Sequence, residues 1–441
     1  MKLNKNCFNY PLQNKNENLS VLTDFFEIKT THNCKLVYTN ILTKASFFDR
    51  IEANIRRHIM SYFIKADQFF YPYETKKGGF LEILDGKFGE WTAALPKEAD
   101  VVDYTGKWIA PGLVDTHIHG FGGADSQDAR VDGIMNTMSE GLLSAGVTSF
   151  FPTPLTDSHE GLLKCCEVIG THYNEATGAK IRGIFFEGPF FTEEHKGAQN
   201  PKYMRDAQMW EVEDWQNAAH GLLKKVGLAP ERAGSEDFIR KATAAGVTIA
   251  LGHSNATYKE AVAGVEAGAT MWIHTYNGMS GLTHQEPGMV GAILNTPNTY
   301  AELICDGHHV RTEAAEIIIK MKGADHVVLI TDSMRAAGLP DGPYMLGEYQ
   351  VEVRDGAAWL PTGRPAASIL TLNKAVKNVV DWGIATPAQA IMMGALTPAK
   401  SANIDEVCGQ IKPGHDADFI VLDTKMNLEA TYLDGVRRYH I

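Results

Sequence analysis

Residues 111–120 read PGLVDTHIHG, an apolar run that closes on two histidines one residue apart. In an extended strand successive side chains point to opposite faces, so His117 and His119 share one face and Ile118 takes the other. Two imidazoles at one strand end can hold a divalent cation, and the flanking glycines leave room beside them. Taken alone, the pair also fits a surface turn, because short motifs recur by chance. The rest of the chain decides between the two.

From residue 109 onward the sequence alternates. Runs rich in Val, Ile and Phe fall at 111–116, 148–153, 181–187, 225–229, 248–252, 270–275, 300–305 and 327–331. Between them lie amphipathic stretches such as 131–145, 158–177, 234–245, 256–267 and 312–322. Gly146 and Gly246 stand where helices should stop, each followed by a Val-Thr pair that opens a strand. Eight β runs with helical crossovers predict an α/β fold, a (β/α)8 TIM-like barrel whose active site lies at the C-terminal ends of its strands. A doubly wound sheet would produce a similar alternation.

Segments 60–108 and 408–441 read differently, as short alternating strands with Gly-containing turns (LEILDGKFGEW, GQIKPGHDADFIVLD). They predict one small β-sandwich flanking a catalytic barrel over 109–407. GEYQVEVRDGAAWL predicts a hairpin that turns at Asp355-Gly356. Residues 1–59 carry nine Lys/Arg against five Asp/Glu, with nine asparagines and no clear period. They read as a poorly packed N-terminal extension rather than a partner-binding arm.

At 441 residues and 44% hydrophobic, the chain can bury a large core. A net charge of −12 offers no basic footprint for nucleic acid. No apolar run approaches a membrane span, and MKLNKNCFNY lacks the apolar centre of a signal peptide. The six cysteines show no CxxC and no framework spacing, which fits reduced thiols in a cytoplasmic protein.

The polar residues that end the β runs carry the chemistry. The first run ends in His117 and His119, the third in Glu187, the fifth in His253 and the sixth in His274. The seventh ends in Asp306, His308 and His309, and the eighth in Asp332. One such histidine is ordinarily a satisfied core residue, and one such aspartate a turn former. Four imidazoles and two carboxylates on the same rim are not independent accidents. The set suits zinc, iron, manganese or cobalt rather than calcium or magnesium. Glu187 can bridge two metals with its two oxygens. A metal-bound water would be acidic enough to act as hydroxide near neutral pH, with Asp332 shuttling its proton to a leaving amine. The chemistry implied is hydrolysis of an amide-like or ester-like bond.

PGLVDTHIHG, FFEGPFF with HKGAQNP, GHSNAT, IHTYNGM, EPGMVGA, CDGHHV and LITD follow one another in this order. From about residue 60 to the C-terminus the chain thereby resembles the N-acetylglucosamine-6-phosphate deacetylases of the amidohydrolase superfamily. The resemblance implies a (β/α)8 barrel with a small β-sandwich, a homodimer, and hydrolysis of the 2-acetamido group of the sugar phosphate in amino-sugar catabolism. It also implies one or two divalent transition metals per chain. Glu187, His253 and His274 match the principal ligands, His117 and His119 the extra pair of two-metal members, and Asp332 the acid/base that also touches the first metal. His309 matches a substrate-binding histidine, and Asp306 stands beside it in the same motif. Asn277 and Gly278 match a backbone clamp on the phosphate side, and Ala198 and Gln199 a lid segment over the sugar.

Two positions depart from that pattern. Gln285 stands where the family usually has an arginine that reaches the substrate phosphate, often across the dimer interface. The exchange loses charge and a bidentate fork, about 1–3 kcal/mol on the scale of charged hydrogen bonds. Pro365-Ala366-Ala367 replaces a Leu-Ser-Gly or Leu-Ala-Gly turn near the sugar. Both changes spare the metal set and bear on the substrate. N-acetylgalactosamine 6-phosphate or a non-phosphorylated N-acetyl-hexosamine is the alternative substrate. A dihydroorotase-like or hydantoinase-like enzyme fits less well, since those often bridge metals with a carboxylated lysine on the fourth strand, where Lys224 and Lys225 are read as preceding the run. A catalytically decayed sugar-binding protein fits least, because every catalytic group is kept.

Overall fold

The computed structural model of the chain describes residues 61–441 except 130, 132, 362 and 364, so the expectation for residues 1–59 lies outside the described residues. Parallel strands and helices alternate from residue 113 onward, an α/β arrangement. The main strands are β1 (Leu113–Ile118), β2 (Val147–Pro152), β3 (Ile184–Phe190), β4 (Leu223–Leu228), β5 (Thr248–Leu251), β6 (Met271–Trp272), β7 (Tyr300–Ile304) and β8 (Val327–Ile330). β3 to β8 form one parallel sheet in sequence order. β1 and β2 pair in a second, whose edge is the short strand Lys180–Ile181. That short strand leads within three residues into β3. At the other side, the Asp332 N–H beyond β8 donates to the His117 carbonyl of β1 at 2.9 Å.

The helices start and stop where local chemistry directs. Thr257 and Glu260 form a reciprocal capping box at the start of helix Tyr258–Ala267, worth about 1 kcal/mol by the usual cost of losing an N-cap. Thr386 and Gln389 repeat it at Pro387–Gly394, with proline in the first turn. Gly146 and Gly246 take φ of +72° and +82°, the left-handed region that glycine enters without a Cβ penalty. Between sheet and helices the core is aromatic, with Phe150, Phe185, Phe186, Phe190, Trp215 and Trp272 fully buried. Cys165, Cys166, Cys305 and Cys408 are buried.

The flanking segments meet in one hydrogen-bonded eight-stranded sheet. Strand Val101–Pro111 lies between Ser61–Phe70, in parallel, and Phe419–Leu422, antiparallel with Phe419 opposite Pro111. Ile64, Phe69, Phe88, Phe419 and Val421 pack as its own core. Lys180 and Arg182 reach this sheet's loops through Asp416, at 2.8 and 2.7 Å. The predicted hairpin is present: Tyr349–Arg354 pairs with Ala357–Trp359, and Asp355 and Gly356 both have positive φ, as a type I′ turn demands. Among the described residues no helix is long and apolar enough to cross a membrane.

Candidate metal centre and active site

The strand ends converge as their spacing predicted. His253, His274, Asp306 and Asp332 each stand two residues beyond the last residue of their strand. His253, His274 and Asp332 take φ of +44°, +25° and +47°, conformations that L residues enter at a cost and that cluster at functional sites. Two groups of ligand atoms result, His117/His119/Glu187 and Glu187/His253/His274, with all atoms of each group within 4.8 Å of one another. Glu187 belongs to both. Its Oε1 lies 3.1 Å from His253 Nε2 and 3.0 Å from His274 Nε2, and its Oε2 lies 3.3 Å from His119 Nε2. Asp332 Oδ1 is 2.9 Å from His119 Nε2 and 3.6 Å from His117 Nε2. All six side chains are buried.

The histidines are held from behind. His117 Nδ1 meets Glu302 Oε2 at 2.8 Å, His119 Nδ1 the Thr153 carbonyl at 2.7 Å, and His253 Nδ1 the His195 carbonyl at 2.7 Å. A ring whose Nδ1–H is spent on an acceptor presents a lone pair at Nε2. Three Nε2 lone pairs therefore face two carboxylates, which repel unless positive charge stands between them. Among the described residues the buried Nε2 of His117 has no hydrogen-bond partner. The electrostatics agree. Burial pushes the His117 imidazole down, but Glu302, Asp332 and Glu187 outweigh it and hold it at about 9. Burial pushes Glu187 up, yet His117, His119 and His253 hold it well below the ordinary carboxylate range. The site demands cationic charge, and these histidines and carboxylates form groups that could hold a metal ion to supply it.

A cavity of about 270 Å³ opens over these groups. Ala198, Gln199, Asn277, Gly278, His309 and Ala366 are among the residues that line it. Asp306 supports His309 through Oδ2 to Nδ1 at 2.6 Å, while its Oδ1 accepts the backbone N–H groups of His308 and His309. Burial lowers the His309 pKa, but the hydrogen bond to Asp306 outweighs it and holds the imidazole above its ordinary value. Gln199 sits in the wall, but its amide is spent: Nε2 donates to Glu187 Oε2 at 2.6 Å, and Oε1 accepts from the Thr156 N–H. Gln285 is exposed on the loop after β6 and is not part of the lining. Pro365 opens strand Pro365–Ser368, and Ala367 is buried in the apolar cluster with Leu155 and Leu346.

Sequence reading missed Leu155, Glu194, His195, Gly197 and Leu346, which complete the lining. It also missed Glu302 and Lys225, the fully buried pair behind His117. Lys225 was expected before the fourth run and lies inside β4. The only available signal was a charged residue within an otherwise apolar run.

A fold of parallel strands whose C-terminal ends gather histidines and a shared carboxylate defines a metal-dependent hydrolase of the amidohydrolase type. The amidohydrolase family model matches residues 108–438. An N-acetylglucosamine-6-phosphate deacetylase of Vibrio furnissii is 39% identical over 77% of this chain and 85% of its own length. An N-acetylgalactosamine-6-phosphate deacetylase of Escherichia coli O157:H7 is 36% identical over 80% of this chain and 93% of its own. A structure of the Mycobacterium smegmatis N-acetylglucosamine-6-phosphate deacetylase, a D267A mutant with N-acetylglucosamine 6-phosphate, superposes with a TM-score of 0.81 at 29% identity, covering 86% of this chain and 99% of that one. The chain belongs to the amidohydrolase family, within its N-acetylglucosamine-6-phosphate deacetylases.

Proposed function

We propose that this protein hydrolyses the 2-acetamido group of N-acetylglucosamine 6-phosphate, releasing acetate and glucosamine 6-phosphate in amino-sugar catabolism. The observation that carries the reading is Glu187 shared between two ligand groups, with Asp332 beside them, in the lining of one cavity. His117, His119, Glu187, His253, His274 and Asp332 hold one or two divalent cations, zinc or iron first, manganese or cobalt next. A cation there supplies Lewis-acid charge that polarises the amide carbonyl and acidifies water. Asp332 accepts the proton of the attacking water and returns it to the departing amine nitrogen. His309, oriented by Asp306 through Nδ1, donates from Nε2 to the acetyl oxygen as negative charge grows there. Asn277, Gly278 and the Ala198-Gln199 segment enclose the sugar. We further propose that the two parallel sheets close as a (β/α)8 barrel, supported by the Lys180–Ile181 continuity and the Asp332-to-His117 bond. The flanking segments serve as a small β-sandwich, and the enzyme works as a cytoplasmic homodimer.

A second reading keeps the chemistry and drops the phosphate. No Lys or Arg is among the described residues that line the cavity, and Gln285 offers only a neutral amide. N-acetylgalactosamine 6-phosphate is the third member of the panel. Acetate release from matched free and 6-phosphorylated N-acetyl-hexosamines, with and without chelator, tests all of these. Release that chelation abolishes supports the reading, and no turnover on any acetamido sugar overturns it. Gln285→Arg should raise the ratio of kcat/KM for phosphorylated over free sugar by about tenfold, the value of one added charged hydrogen bond.

A further inference from the structure

Glu302 on β7 and Lys225 on β4 are charged residues at 0% and 1% exposure. Neither lines the cavity, and the reaction as proposed uses neither. A buried ion pair is costly unless each remaining donor and acceptor is bonded. Here they are bonded, and to particular groups. Lys225 Nζ donates to Glu302 Oε1 and, at 2.9 Å, to the Thr116 carbonyl, and it stands 3.8 Å over the Phe185 ring. Glu302 Oε2 accepts from His117 Nδ1 at 2.8 Å and from the His274 backbone N–H at 3.2 Å. The pair therefore touches β1 at Thr116 and His117, β3 two residues before Glu187, and the chain after β6 at His274.

His117 differs from its partners in what stands behind it. His119 and His253 lean on neutral backbone carbonyls, and the buried His274 Nδ1 has no hydrogen-bond partner among the described residues. His117 leans on a carboxylate, which fixes the ring tautomer and makes Nε2 a stronger donor to a metal. Lys225 keeps that carboxylate paired. With its ammonium spent on Glu302 and Thr116, Lys225 is no ligand itself and holds no bridging group.

We infer that the Lys225–Glu302 pair is the positioning device of the His117/His119 half of the centre, and that it decides whether a second cation is retained there. The inference rests on the metal reading above and goes beyond it by assigning the two cation positions different dependence on one buried pair.

The test uses the full chain, stripped of metal and titrated with zinc against a competing chromophoric chelator, with zinc per chain measured after dialysis. The variants are Glu302→Gln, the charge-neutral double Glu302→Gln/Lys225→Met, and Lys322→Met as a control. Lys322 is another buried lysine, bonded to the Thr296 carbonyl and Thr299 far from His117 in sequence and contact. Wild type should bind two zinc ions. The single and double variants should keep one at wild-type affinity and bind the other 10- to 100-fold more weakly, the usual effect of losing such an outer partner. The control should bind both as wild type does. If the single variant fails to fold, the double variant, which leaves no unpaired buried charge, still decides. Equal weakening of both sites, no weakening of either, or a single zinc in wild type would each overturn the inference. Acetate release by the wild type, measured separately, distinguishes that failure from a failure of the proposed function.

Discussion

Gly278→Ala tests the packing that aims His253 at the metal position. Gly278 has φ of +59°, and a Cβ there would stand 2.9 Å from His253 Nδ1, 3.2 Å from its Cε1 and 3.3 Å from the His195 carbonyl oxygen. The left-handed backbone alone costs alanine about 1–2 kcal/mol. Relieving the contact to an ordinary separation of about 3.5 Å requires a movement of roughly 0.6 Å. The ring cannot give freely, because His253 Nδ1 is tied to the His195 carbonyl at 2.7 Å and Phe191 packs against it with centroids 4.7 Å apart. Whatever moves, Nε2 moves too, away from Glu187 and His274. Metal–ligand distances tolerate only about 0.2 Å.

The expected result is a stability loss of about 1–2 kcal/mol from backbone strain, with metal lost from the Glu187/His253/His274 position and kcat falling in step with metal content. Gly281→Ala is the control: its Cβ would meet nothing within 4 Å and its φ lies outside the left-handed region. It should be neutral or stabilising by about 0.4–1 kcal/mol. Calorimetry, metal analysis and acetate-release kinetics read the three quantities. Wild-type metal content with unchanged kcat would refute the packing argument. A raised KM alone would assign Gly278 to the substrate instead.

Asp332→Asn should lower kcat by about 10²–10⁴, the usual contribution of a positioned proton shuttle, and a loss below tenfold with full metal content would remove Asp332 from that role. Asp416 links the two sheets' surroundings: burial raises its pKa, but Lys180, Lys87 and Arg182 outweigh that and hold it well below the ordinary carboxylate value. A carboxylate depressed in the folded state stabilises fully above its unfolded pKa of about 3.9, and that stability drains as pH falls below it. Wild type should therefore exceed Asp416→Asn in urea resistance at pH 7, with the gap shrinking steadily as pH falls below about 4; a gap that stays constant from about pH 5 to 2 would exclude the linkage.

What the sequence disclosed and what it withheld have separate physical causes. Strand periodicity and the polar residue just past each apolar run are local, so His253, His274 and Asp332 were readable without coordinates. Their positive φ was not, because nothing in the letters marks a non-glycine residue held in the left-handed region by its surroundings. Gln199 was readable as a residue of the site but not in its role: its neighbours suggest a sugar-facing amide, whereas folding commits it to Glu187. Glu302 and Lys225 were hidden because each is only a misplaced charge until the fold joins residues 77 positions apart.

That hidden pair also sets the charge of the centre. Lys225 cancels Glu302, and Asp306 is committed to His309 and two backbone N–H groups, so Glu187 and Asp332 are the carboxylates that face the candidate ligand histidines. With three of the four histidines presenting lone pairs, one divalent ion brings the group to neutrality. A second ion makes it net positive inside a buried pocket, where charge is poorly screened. Such a site favours the substrate oxygen as it turns anionic over the neutral amide it starts from, which is the direction catalysis requires. The His117/His119 position would then serve the transition state more than substrate binding. Losing its ion while keeping the Glu187/His253/His274 ion should lower kcat with little change in KM, and a rise in KM at constant kcat would show the opposite division of labour.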